Sequence, residues 1–358
     1  MNHLALGLTV LLIGASAADA ADFKHPLENV ITGYIRPATA AFAESAADLP
    51  DAVSAVCAES DDARIEAFKD VFSDAVRDFS RIQFLRFGPL LDNDRLSRLS
   101  FRPDPRGRAQ RQIRKLYASK DTSVLSAQSI AKKSVAVQSL TALELIAFDK
   151  DTDVVLGRSG ENTDYTCGYA LAIAGNVAQI AEATATGWAN PDGYSRQLLS
   201  AGPENARYRT ATEAIEVVYN ALATGVTIAK DQDLIPALGK SEDKAKPRRF
   251  PFSRSGNSVV YLTGELDGIH DALVNMDLKP LMSPADQWTL DTLGFEFKNA
   301  GNYLAALETP LRKSFANTGN YNRVAALSIT LSSIQELMVD GVAGALGLAG
   351  GFNALDGD

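Results

Sequence analysis

Histidine is the residue that this sequence lacks most clearly. Only three of its 358 residues are histidine, and two of these, His25 and His270, lie beyond residue 20. Histidine is a common nitrogen ligand of transition metals and a frequent base near neutral pH, so a histidine-rich metal centre is excluded. A Ser-His-Asp triad would depend on His270 alone, and neither a G-x-S-x-G elbow nor a glycine-rich phosphate loop accompanies it.

Long hydrophobic runs and an excess of basic charge are also missing. Beyond the N-terminus no run reaches the roughly 18 apolar residues that a membrane-spanning helix needs, so we expect a soluble mature chain without a transmembrane anchor. The chain has 35 Lys and Arg against 44 Asp and Glu, a formal net charge of −9. A general nucleic-acid binder would carry a basic face, so nucleic acid is not an expected partner.

The N-terminus has the pattern of an export signal. Residues 4–13 form an apolar core, and residues 18–20, Ala-Asp-Ala, match a small-x-small cleavage site. A short transmembrane anchor is the alternative, but the apolar core is too short to span a bilayer. We therefore predict that residues 1–20 are a signal peptide and that the rest of the chain is exported.

Cysteine is even scarcer than histidine, with Cys57 and Cys167 as the only two. In an exported chain such a pair is more often a disulfide than two free thiols, so we predict that these residues are bonded. The bond would close a loop of about 110 residues and stabilise the fold by roughly 4–5 kcal/mol at most. Two isolated cysteines and one distant histidine are a poor basis for thiol catalysis or a zinc site.

Helical periodicity dominates the rest of the chain, with no convincing run of alternating strand residues. We predict an all-α protein made of two consecutive helical bundles packed together, 21–202 and 203–358. The last 18 residues, 341–358, are too rich in glycine for a regular helix, but their apolar residues indicate that part of them packs on the body. Gly88-Pro89 is expected to break the second helix. The predicted helices are 27–47, 62–85, 106–118, 123–149, 163–188, 205–230, 257–276, 283–299, 302–317 and 322–341.

The predicted helix at 123–149 carries an unexpected polar strip. Gln138, Thr141 and Glu144 are three residues apart and remain neighbours on one side of an otherwise apolar helix. A helix that is apolar nearly all round is usually buried, and a buried carboxylate must be paired, coordinated or protonated. We therefore expect Glu144 either to pair with an arginine of the basic stretch 95–115 or to belong to a ligand or metal site.

That basic stretch, 95–115, reverses the overall charge of the chain locally. It contains eight Lys or Arg and one acid, Asp104. The simpler interpretation is a solvated positive face. The functional interpretation is a clamp for an anion or a carboxylate, since arginine matches such groups with two parallel hydrogen bonds.

Several segments, taken in order, resemble the imelysin-like family of bacterial exported proteins. The resemblance covers most of the chain beyond residue 20 and implies a helical two-bundle fold in the bacterial envelope, in the periplasm, with a link to iron uptake. The family was first described as a peptidase family. The matching segments are RFGPLLDNDRLSRLSFRPDPRGRAQRQIRKL (86–116), VQSLTALELIAFD (137–149), CGYALAIAGNVAQIA (167–181), Trp188, LGKSEDKAKPRRFPFSRSGNS (238–258) and GFNALDGD (351–358).

The family signature is Gly-x-His-x-x-Glu on a helix, and here it falls on Ser139, Thr141 and Glu144. The glutamate is retained, but Thr141 replaces the histidine, so the usual nitrogen ligand for iron or another divalent metal is absent. Glu144 is then the one candidate metal ligand, and the cofactor stays unknown. Arg86 or Arg254 is the hypothetical partner of Glu144. By resemblance, the ligand-binding residues are Arg86, Asp104, Gln138, Thr141, Glu144, Arg254 and Ser255.

Three functional hypotheses follow from the sequence. The first is a periplasmic, non-catalytic binding or accessory protein for iron or metal acquisition, with a small ligand or metal and other envelope iron-uptake proteins as partners. The second is an envelope protein-interaction module whose former site is structural. The third is a metallopeptidase, which needs three protein ligands around an open metal site and a base. Neither His-x-x-Glu nor Glu-x-x-His occurs on the helix that carries Glu144, so we favour the first hypothesis.

Overall fold

The computed structural model describes residues 22–316 and 319–348, and in this part of the chain nearly all regular structure is helical. The sole extended pairing among these residues is one isolated two-residue bridge. The predicted all-α fold class is therefore confirmed. The predicted signal peptide, 1–20, and the terminal segment 351–358 lie outside the described residues.

Seventeen α-helices, numbered in chain order, contain most of the described residues. Three π-helical segments, Ile31–Ile35, Ala229–Leu234 and Leu337–Ala343, connect consecutive helices without a loop. None of the helices described is both long enough and apolar enough to cross a bilayer. The helices are α1 (Lys24–Val30), α2 (Arg36–Ala47), α3 (Leu49–Ala58), α4 (Asp62–Ile82), α5 (Arg95–Leu99), α6 (Arg108–Ser119), α7 (Ala127–Ile130), α8 (Leu140–Ala147), α9 (Thr163–Ala189), α10 (Tyr194–Leu199), α11 (Ala211–Ile228), α12 (Ile235–Leu238), α13 (Ser258–Met276), α14 (Trp288–Ala305), α15 (Leu311–Ser314), α16 (Asn320–Glu336) and α17 (Gly344–Leu346).

Helix α4 illustrates how the sequence pattern produces this architecture. It begins at a side-chain cap, in which Asp61 accepts a hydrogen bond from the amide of Arg64 at 2.8 Å. Its apolar residues, among them Phe68 and Phe79, are fully buried because helical spacing places them on one face. The chain then turns at Gly88, whose φ of +62° favours glycine, so the predicted break is confirmed.

Helices α4 and α13 cross at a close contact between the N-terminal and C-terminal halves of the chain. A Cβ atom at Gly264 would lie 2.8 Å from the carbonyl oxygen of Arg77, and one at Gly268 would lie 2.7 Å from the Cα of Arg81. Glycine is therefore required for the two helix backbones to approach this closely. The predicted boundary between residues 202 and 203 falls in the loop between α10 and α11 and stays a prediction.

The predicted continuous helix at 123–149 is wrong in its extent. The chain forms α7, then a 3₁₀ turn at Val135–Val137, and then α8. The hydroxyl of Ser139 accepts a hydrogen bond from the amide of Ala142 at 3.2 Å and starts α8 as a new helix. Gln138 therefore precedes α8 and does not share a helix with Glu144.

Two other helix boundaries differ from the predictions. The predicted helix 205–230 begins later, because Thr210 caps α11 by accepting a hydrogen bond from the amide of Glu213 at 3.1 Å. The predicted helices 283–299 and 302–317 are mainly one helix, α14, followed by the single turn of α15. Gly301, at the predicted break, is tolerated within α14.

The C-terminal segment, predicted to be non-helical from residue 341, is helical as far as Leu346. The glycine content was outweighed by burial, since Val342, Ala343 and Leu348 pack into the core. The prediction that part of this segment packs on the body is thus confirmed, and the prediction of non-helical backbone is wrong for the described part.

The predicted disulfide is present. Cys57 of α3 is bonded to Cys167 of α9, and the two residues are 110 positions apart. The bond links α3 to α9, both of which belong to the N-terminal half of the chain. Such a bond stabilises the fold only in an oxidising environment, where disulfides persist.

We predict that Gly268→Ala lowers the free energy of unfolding by about 1–3 kcal/mol, because the new Cβ overpacks the contact between α4 and α13. The matched control is Gly294→Ala in α14, where no other atom lies within 4 Å of the added Cβ. The control should raise stability by about 0.5–1 kcal/mol, since alanine is the better helix former. Urea denaturation followed by circular dichroism measures both. Equal effects of the two substitutions would contradict the close contact.

Candidate functional site

Glu144 lies on the buried side of α8 and is 7% exposed. The cap at Ser139 sets the first residue of the helix, so Thr141 lies in the first turn and Glu144 lies one turn further on. Residues three apart in a helix are neighbours on its surface. The two motif positions are therefore adjacent, as the spacing predicts.

The carboxylate of Glu144 is held by Ser255, which comes from the C-terminal half of the chain. The amide and the hydroxyl of Ser255 both donate to Oε1 of Glu144, at 2.8 and 3.0 Å. The tight turn that presents Ser255 has positive φ angles at Phe252 and Gly256, +48° and +84°. The amide of Asn257 closes the turn by donating to the carbonyl of Phe252 at 3.0 Å. Glu144 therefore connects two segments that are far apart in sequence.

Aromatic packing fixes the position of this turn. The ring of Phe252 meets that of Phe72 edge-on, with centroids 6.1 Å apart, and Phe72 packs against Phe148 at 5.3 Å. Tyr261 of α13 packs on the other side of Phe252, also at 5.3 Å. Such pairs contribute about 0.5–1.5 kcal/mol each beyond the area they bury. The hydrogen bonds from Ser255 thus rest on apolar contacts between the two halves.

The predicted ion pair between Glu144 and either Arg86 or Arg254 is wrong. The guanidinium of Arg254 donates to the carbonyl of Phe148 at 3.1 Å. Arg102, from the basic stretch 95–115, influences Glu144 by its charge but donates its hydrogen bond elsewhere. The amide and the hydroxyl of Ser255 provide the hydrogen bonds to the carboxylate in place of an arginine side chain.

Burial raises the pKa of Glu144, since the charged carboxylate loses solvation. The hydrogen bonds from Ser255 and the positive charge of Arg102 oppose this effect and favour the ionised form. Burial is the larger contribution, so the pKa lies above its ordinary value.

Two further predicted site residues have polar partners close by. Gln138 is buried, and its Oε1 accepts hydrogen bonds from Nε of Arg98 at 3.0 Å and Nδ2 of Asn176 at 3.2 Å. The hydroxyl of Thr141 lies 2.7 Å from that of Ser139. These contacts tie the start of α8 to α5 and α9.

Asp104 is the remaining member of the predicted set, and its carboxylate caps α6. It accepts hydrogen bonds from the amides of Arg108 at 2.8 Å and Ala109 at 2.9 Å. A negative charge at a helix N-terminus is stabilising, so this contact gives Asp104 a structural role in the fold.

A second group of buried charged residues lies at the seam between the two halves. Nη2 of Arg102 donates to Oδ1 of Asp233 at 2.9 Å, and Nε2 of Gln83 donates to Oε1 of Glu265. Asp233 belongs to the π-helical segment between α11 and α12, a type of segment that is frequent at functional sites. The group borders a cavity of about 70 Å³. Its lining includes Gln83, Arg86, Ser100, Arg102, Asp233 and Tyr261.

The charges of this group influence one another strongly. Burial, reinforced by the nearby carboxylate of Asp233, raises the pKa of Glu265 well above its ordinary value. Burial acts to lower the pKa of Arg102, but Asp233 outweighs it and the pKa is raised overall. The pKa of Arg86 is lowered because burial is not offset by a direct partner. Burial also raises the pKa of Asp233, but its arginine partner opposes this effect, so Glu265 is the acid that favours the protonated form more strongly.

Sequence reasoning missed Gln83, Asp233, Tyr261 and Glu265, whereas Arg102 lies in the basic stretch 95–115, for which an anion clamp is one interpretation. A signal existed for Glu265, which is a single carboxylate on the apolar face of α13, as Glu144 is on α8. Asp233 carries no such signal, because three of the four residues before it, Lys230, Asp231 and Gln232, are polar.

The residues at the motif position do not fit a coordinated metal ion. One oxygen of Glu144 already accepts two hydrogen bonds, and Thr141 offers a neutral hydroxyl. Among the residues that the structure describes, no three His, Cys, Asp or Glu side chains are grouped closely enough to hold a metal.

The sequence matches a known protein family, and the structure is similar to solved structures. The family model described as Imelysin matches residues 32–338. An imelysin-like protein from Psychrobacter arcticum 273-4 has a similar structure, with a TM-score of 0.77 and 19% identity over 93% of this chain and 99% of the other. A putative iron-regulated protein A precursor from Parabacteroides distasonis ATCC 8503 has a TM-score of 0.70 and 13% identity, over 90% and 96%. No curated protein matches the sequence.

We predict that stability declines as the pH rises above the ordinary carboxyl value of 4.5, and that Glu265→Gln reduces the decline. The folded protein keeps the proton of Glu265 at pH values where the unfolded chain has lost it, so the free energy of unfolding falls with rising pH through that window. Glutamine keeps an acceptor for Gln83 but cannot ionise. Urea denaturation at several pH values between about 5 and 8 measures how the free energy of unfolding changes with pH. This range is roughly the one over which the raised pKa of Glu265 acts.

The matched control for this prediction is Glu66→Gln, an exposed glutamate on α4. It should leave the pH dependence of stability as it is in the wild type. An unchanged slope in Glu265→Gln would show that Glu265 is not the group that links stability to pH.

Proposed function

Because the chain belongs to the imelysin family, we propose that it is an exported, non-catalytic binding or accessory protein associated with iron acquisition. The name of one structural neighbour, an iron-regulated protein A precursor, supports the iron-related role. The export signal predicted at 1–20 and the disulfide between Cys57 and Cys167 support an oxidising location, the periplasm.

The hydrogen bonding of the Glu144 carboxylate is the observation that supports a non-catalytic role. Its carboxylate is engaged by Ser255, and the neighbouring motif position is the hydroxyl of Thr141. A metallopeptidase needs an open metal with three protein ligands and a base, and this donor set does not supply them. We therefore propose that the protein recognises its ligand by hydrogen bonds and charge.

A second candidate function is an envelope protein-interaction module. Trp288 and Phe295, seven residues apart on α14, are each 59% exposed, and Ile329 on α16 is 69% exposed. Large exposed apolar side chains favour contact with another protein when they form one patch. Loss of a co-purifying envelope protein from the double variant Trp288→Ser, Phe295→Ser would favour this candidate over the first.

Uptake of labelled iron tests the proposed role directly. Cells that lack this gene should take up ferric citrate several-fold more slowly under iron limitation, and the exported chain should restore uptake. A complementing copy without residues 1–20 should not restore it, because it would stay inside the cell. Normal uptake in the deletion strain, or hydrolysis of a peptide library by the purified chain, would overturn the proposal.

We predict that Thr141→His increases affinity for ferrous ion by at least about tenfold, equivalent to about 1.4 kcal/mol. The histidine would add a nitrogen donor one helical turn before Glu144, at the spacing that places both side chains together. Thr141→Gln is the matched control, since it adds a polar side chain without an imidazole. Isothermal titration calorimetry measures the affinity of the wild type and both variants for ferrous ion. Equal affinities would mean that Glu144 cannot leave Ser255 to bind a metal.

A further inference from the structure

The cavity at the seam has the size of a small molecule and is polar. Its volume of about 70 Å³ is space for about two water molecules at roughly 30 Å³ each, or for one small polyatomic ion. Arg86 and Arg102 line it from the N-terminal half, and Asp233 and Tyr261 line it from the C-terminal half. An occupant would therefore contact both halves of the chain.

Two hydrogen-bond donors of the lining have no partner. The Nε atoms of Arg86 and Arg102 are buried and make no hydrogen bond to any described residue. Arg102 at least donates through Nη2 to Asp233. The guanidinium of Arg86 forms no hydrogen bond and no ion pair within the described part of the chain. A buried donor without an acceptor is costly, so the two unpaired Nε–H groups favour an acceptor bound in the cavity.

The charge balance of the group indicates what kind of acceptor is needed. The ion pair with Asp233 neutralises Arg102, whereas Arg86 forms no ion pair with a described residue and interacts with the charges of Glu265 and Asp233 only from beyond ion-pair distance. Glu265, one turn after Tyr261 on α13, has a second orphaned atom, Oε2, while its Oε1 accepts from Gln83. In the protonated form Oε2 carries the hydrogen and is itself a donor. The unmet groups are then all donors, and water alone would leave Arg86 without an ion-pair partner.

We propose that this cavity binds a small oxygen-bearing anion, of the carboxylate, bicarbonate or phosphate class, with Arg86 as its main ligand. The planar fork of Arg86 can donate two parallel hydrogen bonds to such an anion, and Nε of Arg102 supplies a third. Ser100 and Tyr261 add hydroxyl groups to the lining. This role goes beyond the association with iron and does not depend on it.

Titration of the purified chain with single anions tests the proposal without any iron. Sodium acetate, bicarbonate and phosphate are titrated separately by calorimetry in an anion-poor buffer, and sodium chloride at equal ionic strength is the control. At least one oxyanion should bind with a stoichiometry of one and raise Tm, and the arms distinguish a carboxylate from phosphate. Failure of all three to bind at millimolar concentration overturns the proposal and leaves the iron-related role untouched.

Substitution of Arg86 assigns the binding to this cavity. Arg86→Gln should weaken the anion by at least about tenfold. It should also keep or raise Tm without anion, because it removes a buried unpaired charge. Arg86→Lys keeps the charge but loses the fork, so it should weaken binding as well and serves if the first variant does not fold.

The charge-matched control is Arg81→Gln on α4. Arg81 is paired with Asp271 at 2.6 Å and does not line the cavity. This variant should bind the anion as the wild type does, since it loses the same charge at another place. Wild-type affinity in both Arg86 variants, or equal losses in Arg81→Gln and Arg86→Gln, would overturn the assignment.

Discussion

The ion pair between Arg102 and Asp233 is the contact on which the arrangement of the seam depends. It joins the loop after α5 to the π-helical segment between α11 and α12, so each half of the chain supplies one charge. A buried pair of this kind adds little net stability, whereas loss of one partner costs about 3–5 kcal/mol. We interpret the pair as a determinant of how the two halves meet, while apolar packing supplies the strength.

That packing explains how a polar group can persist inside a helical protein. The close approach of α4 and α13 at Gly268 brings the two halves into direct backbone contact. The rings of Phe72, Phe148 and Phe252 also pack against one another between the halves. The surroundings are therefore rigid, and a rigid frame can hold unpaired donors that a looser one would rearrange to satisfy.

The fold could be predicted from the sequence more completely than the site, because the two depend on different distances along the chain. Helical spacing is local, so the buried face of α4 and the helical class follow from residues such as Phe68 and Phe79. Side-chain caps such as that of Ser139 divide a periodic run without changing its periodicity, which is why the extent of α8 could not be predicted. Arg102 and Asp233 are 131 positions apart in the sequence, and no local sequence pattern predicts their contact.

Glu144 illustrates that a motif residue can be retained while its environment changes its role. With threonine at position 141, no nitrogen donor stands beside the carboxylate, and a buried carboxylate still needs donors. Ser255 supplies two of them, and the charge of Arg102 supports the ionised form. Because Ser255 comes from the C-terminal half, the carboxylate of Glu144 joins the two halves. This role for Glu144 agrees with our proposal that a ligand binds instead in the cavity at the seam, where Nε of Arg86 has no partner.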